Sequence, residues 1–275
     1  DLESYQANIR SPVSGTYRGY QIYSMPPPSS GGVHLVQILN ILENYPIGFL
    51  GVNSADTIHL MAEAMKLAYA DRSLHLGDPD YWPVPINGLT SKNYAARLRS
   101  AIDLTRSRPA EEIRPGAPKD SESNETTHFS VMDAAGNVVS NTYTINFGYG
   151  AGIVAAGTGI LLNNELDDFS AKPGVPNAYG LIGGEANAVE GGKRPLSSMT
   201  PTIVLKDGQS FLATGSPGGS RIITTTLQII LNVIDHGMGI QQAITAPTID
   251  AADRETFVDQ RIDESVADSL RAMGH

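Results

Sequence analysis

The chain has no cysteine. That absence excludes disulfides, a thiolate nucleophile and cysteine-ligated metal. It leaves the compartment open, because a cysteine-free protein suits reducing and oxidising surroundings alike. Long apolar runs are also missing. The richest stretch, Ile222 to Ile234, is interrupted by Thr224, Thr225, Thr226, Gln228 and Asn232, so no segment of this chain reads as a membrane span. Basic residues are scarce: 19 Lys and Arg against 29 Asp and Glu give a formal net charge of −10. With no Lys/Arg block, such a surface repels phosphate backbones, which argues against nucleic acid as a partner. The six histidines are scattered, with no two at metal-ligand spacing on one helix face. Any nucleophile is therefore expected to be a hydroxyl. Asp1-Leu2-Glu3 is preceded by no Met and no signal-peptide core, so this piece carries no targeting segment, whatever the gene encodes.

What remains is a globular composition, 41% hydrophobic and 17% charged. Its 275 residues allow one large domain or two ordinary ones. Tyr17 to Ser24 alternates as a short strand. Pro26-Pro27-Pro28-Ser29-Ser30-Gly31-Gly32 reads as an extended surface linker, followed at once by a buried helix from Val33 to about Pro46. Ser54 caps a second helix running to His75, with Ile58, Met61, Ala62, Met65, Ala68 and Tyr69 as its apolar stripe. Residues 78–90 are irregular, and Tyr94 to Ile102 suits a third helix. Thr105 to Glu125, charged and with three Pro, reads as an exposed segment.

The character changes at Thr126. His128 to Asp133 and Val138 to Ile145 read as strands joined by a turn at Ala134-Ala135-Gly136-Asn137. Gly152 to Asn163 holds further strand-like runs. Thr202 to Lys206 and Ser210 to Thr214 flank Asp207-Gly208, another hairpin signal. Gly219 to His236 is a long helix, and Ser265 to Met273 a last short one. This order predicts helical layers over packed antiparallel sheets.

Chemistry enters at Glu122-Ser123-Asn124-Glu125-Thr126-Thr127-His128. Cleavage before Thr126 would give that residue a free α-amine beside its own hydroxyl. An α-amine titrates at about 7.7–8.0, so it serves as a base near neutral pH with no His or Lys beside it. Two Thr opening a strand also simply suit β-propensity. Asn124-Glu125-Thr126 matches a glycosylation acceptor as well, a weak pattern.

Further motifs follow in order: Thr142-Tyr143-Thr144-Ile145-Asn146, Leu162-Asn163-Asn164-Glu165-Leu166-Asp167-Asp168-Phe169, Lys193-Arg194-Pro195-Leu196-Ser197-Ser198-Met199 and Thr214-Gly215-Ser216-Pro217-Gly218-Gly219-Ser220-Arg221. With Met25 to Gly32 and Tyr69-Ala70-Asp71-Arg72 upstream, the chain resembles the γ-glutamyltranspeptidase family, most weakly after Pro247. The resemblance implies an α+β fold, the N-terminal-nucleophile hydrolase αββα sandwich, incomplete in this chain. It implies self-cleavage between Glu125 and Thr126. Residues 1–125 would then end a large subunit, and residues 126–275 would open a small subunit that lacks its last strands. The two would pair as a heterodimer from one precursor, periplasmic or extracellular, without metal or organic cofactor.

Roles follow from the same resemblance. Thr126 is the expected nucleophile and Thr144 its hydroxyl partner, although a routine strand Thr reads the same. Gly218 and Gly219 would hold the oxyanion; a plain Gly-rich turn is the alternative, and a phosphate loop is rejected because no Gly-Lys-Ser/Thr follows. A γ-glutamyl donor such as glutathione presents an α-ammonium and an α-carboxylate. Glu165, Asp168 and Asn146 would take the ammonium, unless Glu165 to Asp168 is only an acidic turn. Ser197 and Ser198 would take the carboxylate, with help from an Arg expected before Asp1. Tyr179, within Pro173 to Gly184, would gate a lid, though any long surface loop has that composition. Water or an amino-acid or peptide acceptor would resolve the acyl-enzyme.

Overall fold

The computed structural model describes residues 3–113, 126–175, 177, 181–251 and 255–275. The single strand expected over 17–24 is a hairpin. Strand β1 (Val13–Tyr17) turns back at Arg18-Gly19 into β2 (Tyr20–Ser24), and both turn residues have positive φ, 47° and 85°. Such a turn follows the natural strand twist, but Arg at its first position gives no turn signal. Helix α1 (Gly31–Leu42), the short α2 (Ile47–Leu50) and the long α3 (Ala55–His75) follow, then α4 (Ile86–Leu89), α5 (Lys92–Arg99) and α6 (Ala110–Ile113). Ser54 caps α3 as expected, its side chain accepting the Thr57 N–H at 3.2 Å. The remaining elements are β3 (Thr126–Met132), β4 (Val138–Thr144), β5 (Thr202–Lys206), β6 (Gln209–Thr214), α7 (Arg221–Ile234), α8 (Ile240–Thr245), β7 (Ile249–Asp250), β8 (Phe257–Val258) and α9 (Glu264–Met273).

One antiparallel sheet has the order β1-β2-β5-β6. Helix α1 crosses β1 and β2, and α3, α5 and α7 pack around α1. Every residue of α1 is consequently buried, as a helix apolar on most of its circumference requires. The β3–β4 hairpin lies on β5 and β6. Helix, sheet and sheet are thus stacked as three layers. The hairpin turn at 134–137 is closed by Asp133, whose Oδ1 accepts the Ala135 and Asn137 N–H groups at 2.9 and 2.8 Å.

The inner face of the hairpin is polar. Ser140 bridges the sheets, donating to the Thr214 carbonyl at 3.0 Å and accepting the Thr202 N–H at 3.0 Å. The outer face is apolar: Phe129, Val131, Val139 and Tyr143 are exposed, with Phe129 and Tyr143 edge-to-face at 6.4 Å between centroids.

Three further expectations are corrected. Pro26 to Gly32 is no surface linker; Ser29, Ser30, Gly31 and Gly32 are buried because this stretch pairs with residues 197–199. Gly152 to Asn163 forms no named strand, only an isolated bridge between Val154 and Leu161. Gly152, Gly157 and Gly159 all have positive φ there, which breaks extended pairing. The segment from Thr105 is not uniformly exposed, since Ser107 is buried where it accepts from Lys66 Nζ at 2.9 Å; residues 114–125 lie outside the described residues.

A Cβ at Gly31 would sit inside van der Waals contact of the Thr200 hydroxyl and the Met199 carbonyl. Gly31→Ala is therefore expected to force α1 away from residues 197–200 and to cost about 1–3 kcal/mol of stability, read as a fall in the thermal unfolding midpoint.

Candidate active site

Thr126 opens β3 and pairs in register with Thr144, the last residue of β4. Thr126 Oγ donates to Thr144 Oγ at 3.3 Å, and Thr144 Oγ also accepts the Asn146 N–H at 2.9 Å. The Thr144 side chain is thus oriented by the backbone just beyond it. Asn146, buried and at φ 75°, donates from Nδ2 to the Asn164 carbonyl at 3.1 Å. Asn164 in turn accepts the Phe147 N–H at its Oδ1, 2.9 Å away. These bonds lock the exit of β4 to the segment that carries the acidic residues.

That segment is a single 3-10 turn, Glu165–Asp168. Asp168 is buried and hydrogen-bonded to Glu165. Burial pushes the Asp168 carboxyl up to about 8, the Glu165 charge adds to this, and the Arg72 charge opposes it. Glu165 is also raised, chiefly by burial. Two carboxyls so close cannot both ionise cheaply, so they hold a proton between them near neutral pH.

Ser197 and Ser198 lie on an extended segment anchored on both sides. The Ser197 N–H donates to the Pro28 carbonyl at 2.8 Å, and the Ser30 N–H donates to the Ser197 carbonyl at 2.8 Å. Ser29 Oγ donates to the Met199 carbonyl at 2.7 Å. Just upstream, buried Asp78 accepts the Arg194 N–H at 2.9 Å. Buried Asn187 connects this segment to the acidic turn: its Nδ2 donates to the Asp168 carbonyl at 2.8 Å, and its Oδ1 accepts the Leu196 N–H at 3.0 Å.

Gly218 and Gly219 form the loop before α7, with φ values of 125° and 55° that side-chain-bearing residues rarely adopt. Gly215, just before them, packs so closely on the His128 ring that a Cβ would overlap it. Burial lowers the affinity of His128 for a proton, and its ring nitrogens face Thr142 Oγ at 2.8 Å and Ser130 Oγ at 3.0 Å. The glycine loop is therefore seated directly on the hairpin that begins with Thr126.

A single cavity is lined by Thr126, Thr144, Asn146, Asp168, Ser197, Ser198 and Gly219. Residues far apart in sequence thus meet in one place. Glu165 reaches it through Asp168, and Gly218 neighbours it on its loop. Tyr179 and Glu125 lie outside the described residues. Leu181, at the end of the same Pro173 to Gly184 loop, also lines the cavity and packs with Tyr69 and Ile223.

Neither Arg72 nor Asn187 carries a functional signal of its own in the sequence. Arg72 lines the cavity from the last turn of α3; its signal was the Tyr69 to Arg72 motif, which carried no chemical clue. Asn187 gave none, being one polar residue in a loop. Among the described residues, His59, Glu63 and His275 are close enough to hold a metal ion. However, Lys66 already ion-pairs with Glu63, and the two rings are hydrogen-bonded to each other, His59 Nδ1 to His275 Nε2, at 2.8 Å. We assign no ion there.

The sequence model of the gamma-glutamyltranspeptidase family matches residues 1–275. A glutathione hydrolase proenzyme of Escherichia coli is 61% identical over 90% of this chain and 43% of its own length. An acylase ACY 1 proenzyme of a Pseudomonas species is 42% identical over 100% of this chain and 47% of its own. The crystal structure of a cephalosporin acylase from Bacillus halodurans superimposes with a TM-score of 0.82 at 28% identity, covering 100% of this chain and 47% of that one. The chain thus spans about half the length of the curated relatives it matches, and its α+β architecture is the N-terminal-nucleophile hydrolase fold in incomplete form. With a whole-chain family match and these relatives, the chain belongs to the gamma-glutamyltranspeptidase family.

Proposed function

We propose that this chain is the central part of a self-cleaving precursor that transfers or hydrolyses γ-glutamyl groups. Residues 1–125 end its large subunit and residues 126–275 begin its small one. The observation that carries the reading is the placement of Thr126. It stands first in its strand, with the Thr144 hydroxyl at 3.3 Å, and lines a cavity together with buried Asp168 and with Ser197 and Ser198.

Scission of the Glu125–Thr126 peptide bond frees the Thr126 amine. Thr126 Oγ then attacks the γ-amide carbonyl of glutathione or a related donor, and the amine takes the hydroxyl proton. The Oγ–C bond forms, and the oxyanion is held by the Gly218 and Gly219 amides. The C–N bond breaks as the amine returns the proton to the leaving group. Water or the amino group of an acceptor amino acid or peptide then attacks the ester and releases Thr126. Glu165, Asp168 and Asn146 hold the donor α-ammonium, Ser197 and Ser198 hold its α-carboxylate, and Tyr179 gates the lid. By family resemblance the enzyme works in the periplasm or outside the cell. Among the described residues no helix is long and apolar enough to cross a membrane.

The second reading is an acylase acting on another amide, favoured by the ACY 1 relative that matches the whole chain. A buried carboxyl and two serine hydroxyls lining the same cavity as Thr126 favour a free amino-acid end instead. A glutaryl anilide lacks the α-amine, so the full-length protein is expected to prefer a γ-glutamyl anilide; preference for the glutaryl compound rejects the reading.

Two further outcomes are expected of the full-length precursor. Mass spectrometry shows scission before Thr126, and Thr126→Ala abolishes it and lowers turnover by roughly a thousandfold or more. The pH dependence of KM follows the acidic pair. Below about 8 Asp168 holds its proton, so the pair carries less negative charge for the ammonium. KM therefore falls as pH rises through that value, until the donor ammonium itself deprotonates. Glu165→Gln removes one cause of the raised value, so this limb moves to lower pH although binding weakens overall. A limb that stays in place separates Asp168 from ammonium binding.

A further inference from the structure

Arg72 is almost wholly enclosed, 4% exposed, yet lines the cavity with Thr126, Asp168, Ser197 and Ser198. Its Nε donates to Ser30 Oγ at 3.0 Å, and its Nη2 donates to the Leu196 carbonyl and to Ser198 Oγ, each at 3.4 Å. One planar guanidinium therefore ties α3 to the start of α1 and to the serine segment on both sides of Ser197. A hydroxyl that accepts from a cation keeps its own proton for another partner. With Nη2–H directed at Ser198 Oγ, the Ser198 proton is left for an acceptor in the cavity, and the cation favours that acceptor being an anion.

We propose that Arg72 is a positioning residue that acts through Ser198 to select donors with a free α-carboxylate. It is distinct from the arginine expected before Asp1. The inference rests on the γ-glutamyl reading above. The two 3.4 Å contacts are longer than an ordinary N–H···O bond, as is common in sites that tighten when ligand enters. Asp168 lines the same cavity and feels this charge too, since the Arg72 guanidinium lowers its proton affinity. The cavity lining thus offers both a carboxyl and a hydroxyl backed by a guanidinium, the two kinds of partner a zwitterion needs.

The test uses the full-length enzyme and three anilides: γ-glutamyl, glutaryl (no α-amine) and 4-aminobutanoyl (no α-carboxylate). In Arg72→Gln, KM for the γ-glutamyl and glutaryl donors rises about tenfold or more while kcat changes about twofold at most. For the 4-aminobutanoyl donor kcat/KM stays within about twofold of wild type. Adding Arg72→Gln to Ser198→Ala costs little beyond Ser198→Ala alone, because the two act as one unit. Equal losses on all three donors, or additive losses in the double variant, overturn the proposal. If Arg72→Gln does not mature, Arg72→Lys carries the same comparison; it keeps the charge but loses the planar fork. A wild-type enzyme that fails to cleave the γ-glutamyl anilide overturns instead the function proposed above.

Discussion

The register of one hairpin governs this molecule. Thr126 faces Thr144 only because β3 and β4 pair as they do, and a slip of one residue would turn every side chain to the other face. The register is fixed by contacts that only one face can make. Ser140 must meet both the Thr214 carbonyl and the Thr202 N–H, and the His128 ring must lie against Gly215. A polar layer between two sheets is costly unless each group finds a partner. Here that requirement becomes an alignment device, because the bonds that satisfy the layer also set the strand that begins with Thr126. The apolar outer face makes the same point from the other side: Phe129, Val131, Val139 and Tyr143 could not replace Ser140 or His128 without losing those partners.

Around that strand the site is assembled from loops, and each loop is held by a polar side chain that is buried or half-buried. Asn164 ties the end of β4 to the acidic turn, and Asn187 ties that turn to the serine segment. Asp78 holds the Arg194 backbone, and Arg72 joins the serine segment to α3. These bonds fix charges of opposite sign before any ligand arrives, so little reorganisation is left for binding.

The secondary structure was largely legible. Ser54, the stripe from Ile58 to Tyr69 and the Asp207-Gly208 turn were enough to place α3 and the β5–β6 hairpin, since those signals are local. The failures have a common cause. Arg18 at positive φ, the burial of Ser29 to Gly32 and the lack of strands over 152–163 depend on distant partners or on glycine conformations that alternation does not reveal. The cavity residues belonged to motifs, so most could be named in advance, but their convergence could not be derived from spacing. Arg72 and Asn187 escaped because their importance is purely a matter of position: each is an ordinary polar residue until the fold places it between two loops.

This division of labour bears on how such a scaffold changes substrate. Thr126 and Thr144 lie on paired strands, and Gly219 lies two residues before a long helix. Rigid elements of that kind keep reacting atoms in place when neighbouring loops change. The residues proposed to read the two ends of the donor lie on the 3-10 turn and the serine segment, joined to each other through Asn187 and to the helices through Arg72. On the function proposed above, altering either loop would change which amide is accepted while leaving Thr126 and Thr144 in register. Specificity on this fold is therefore expected to reside in side-chain ties between loops, and reactivity in the pairing of two strands.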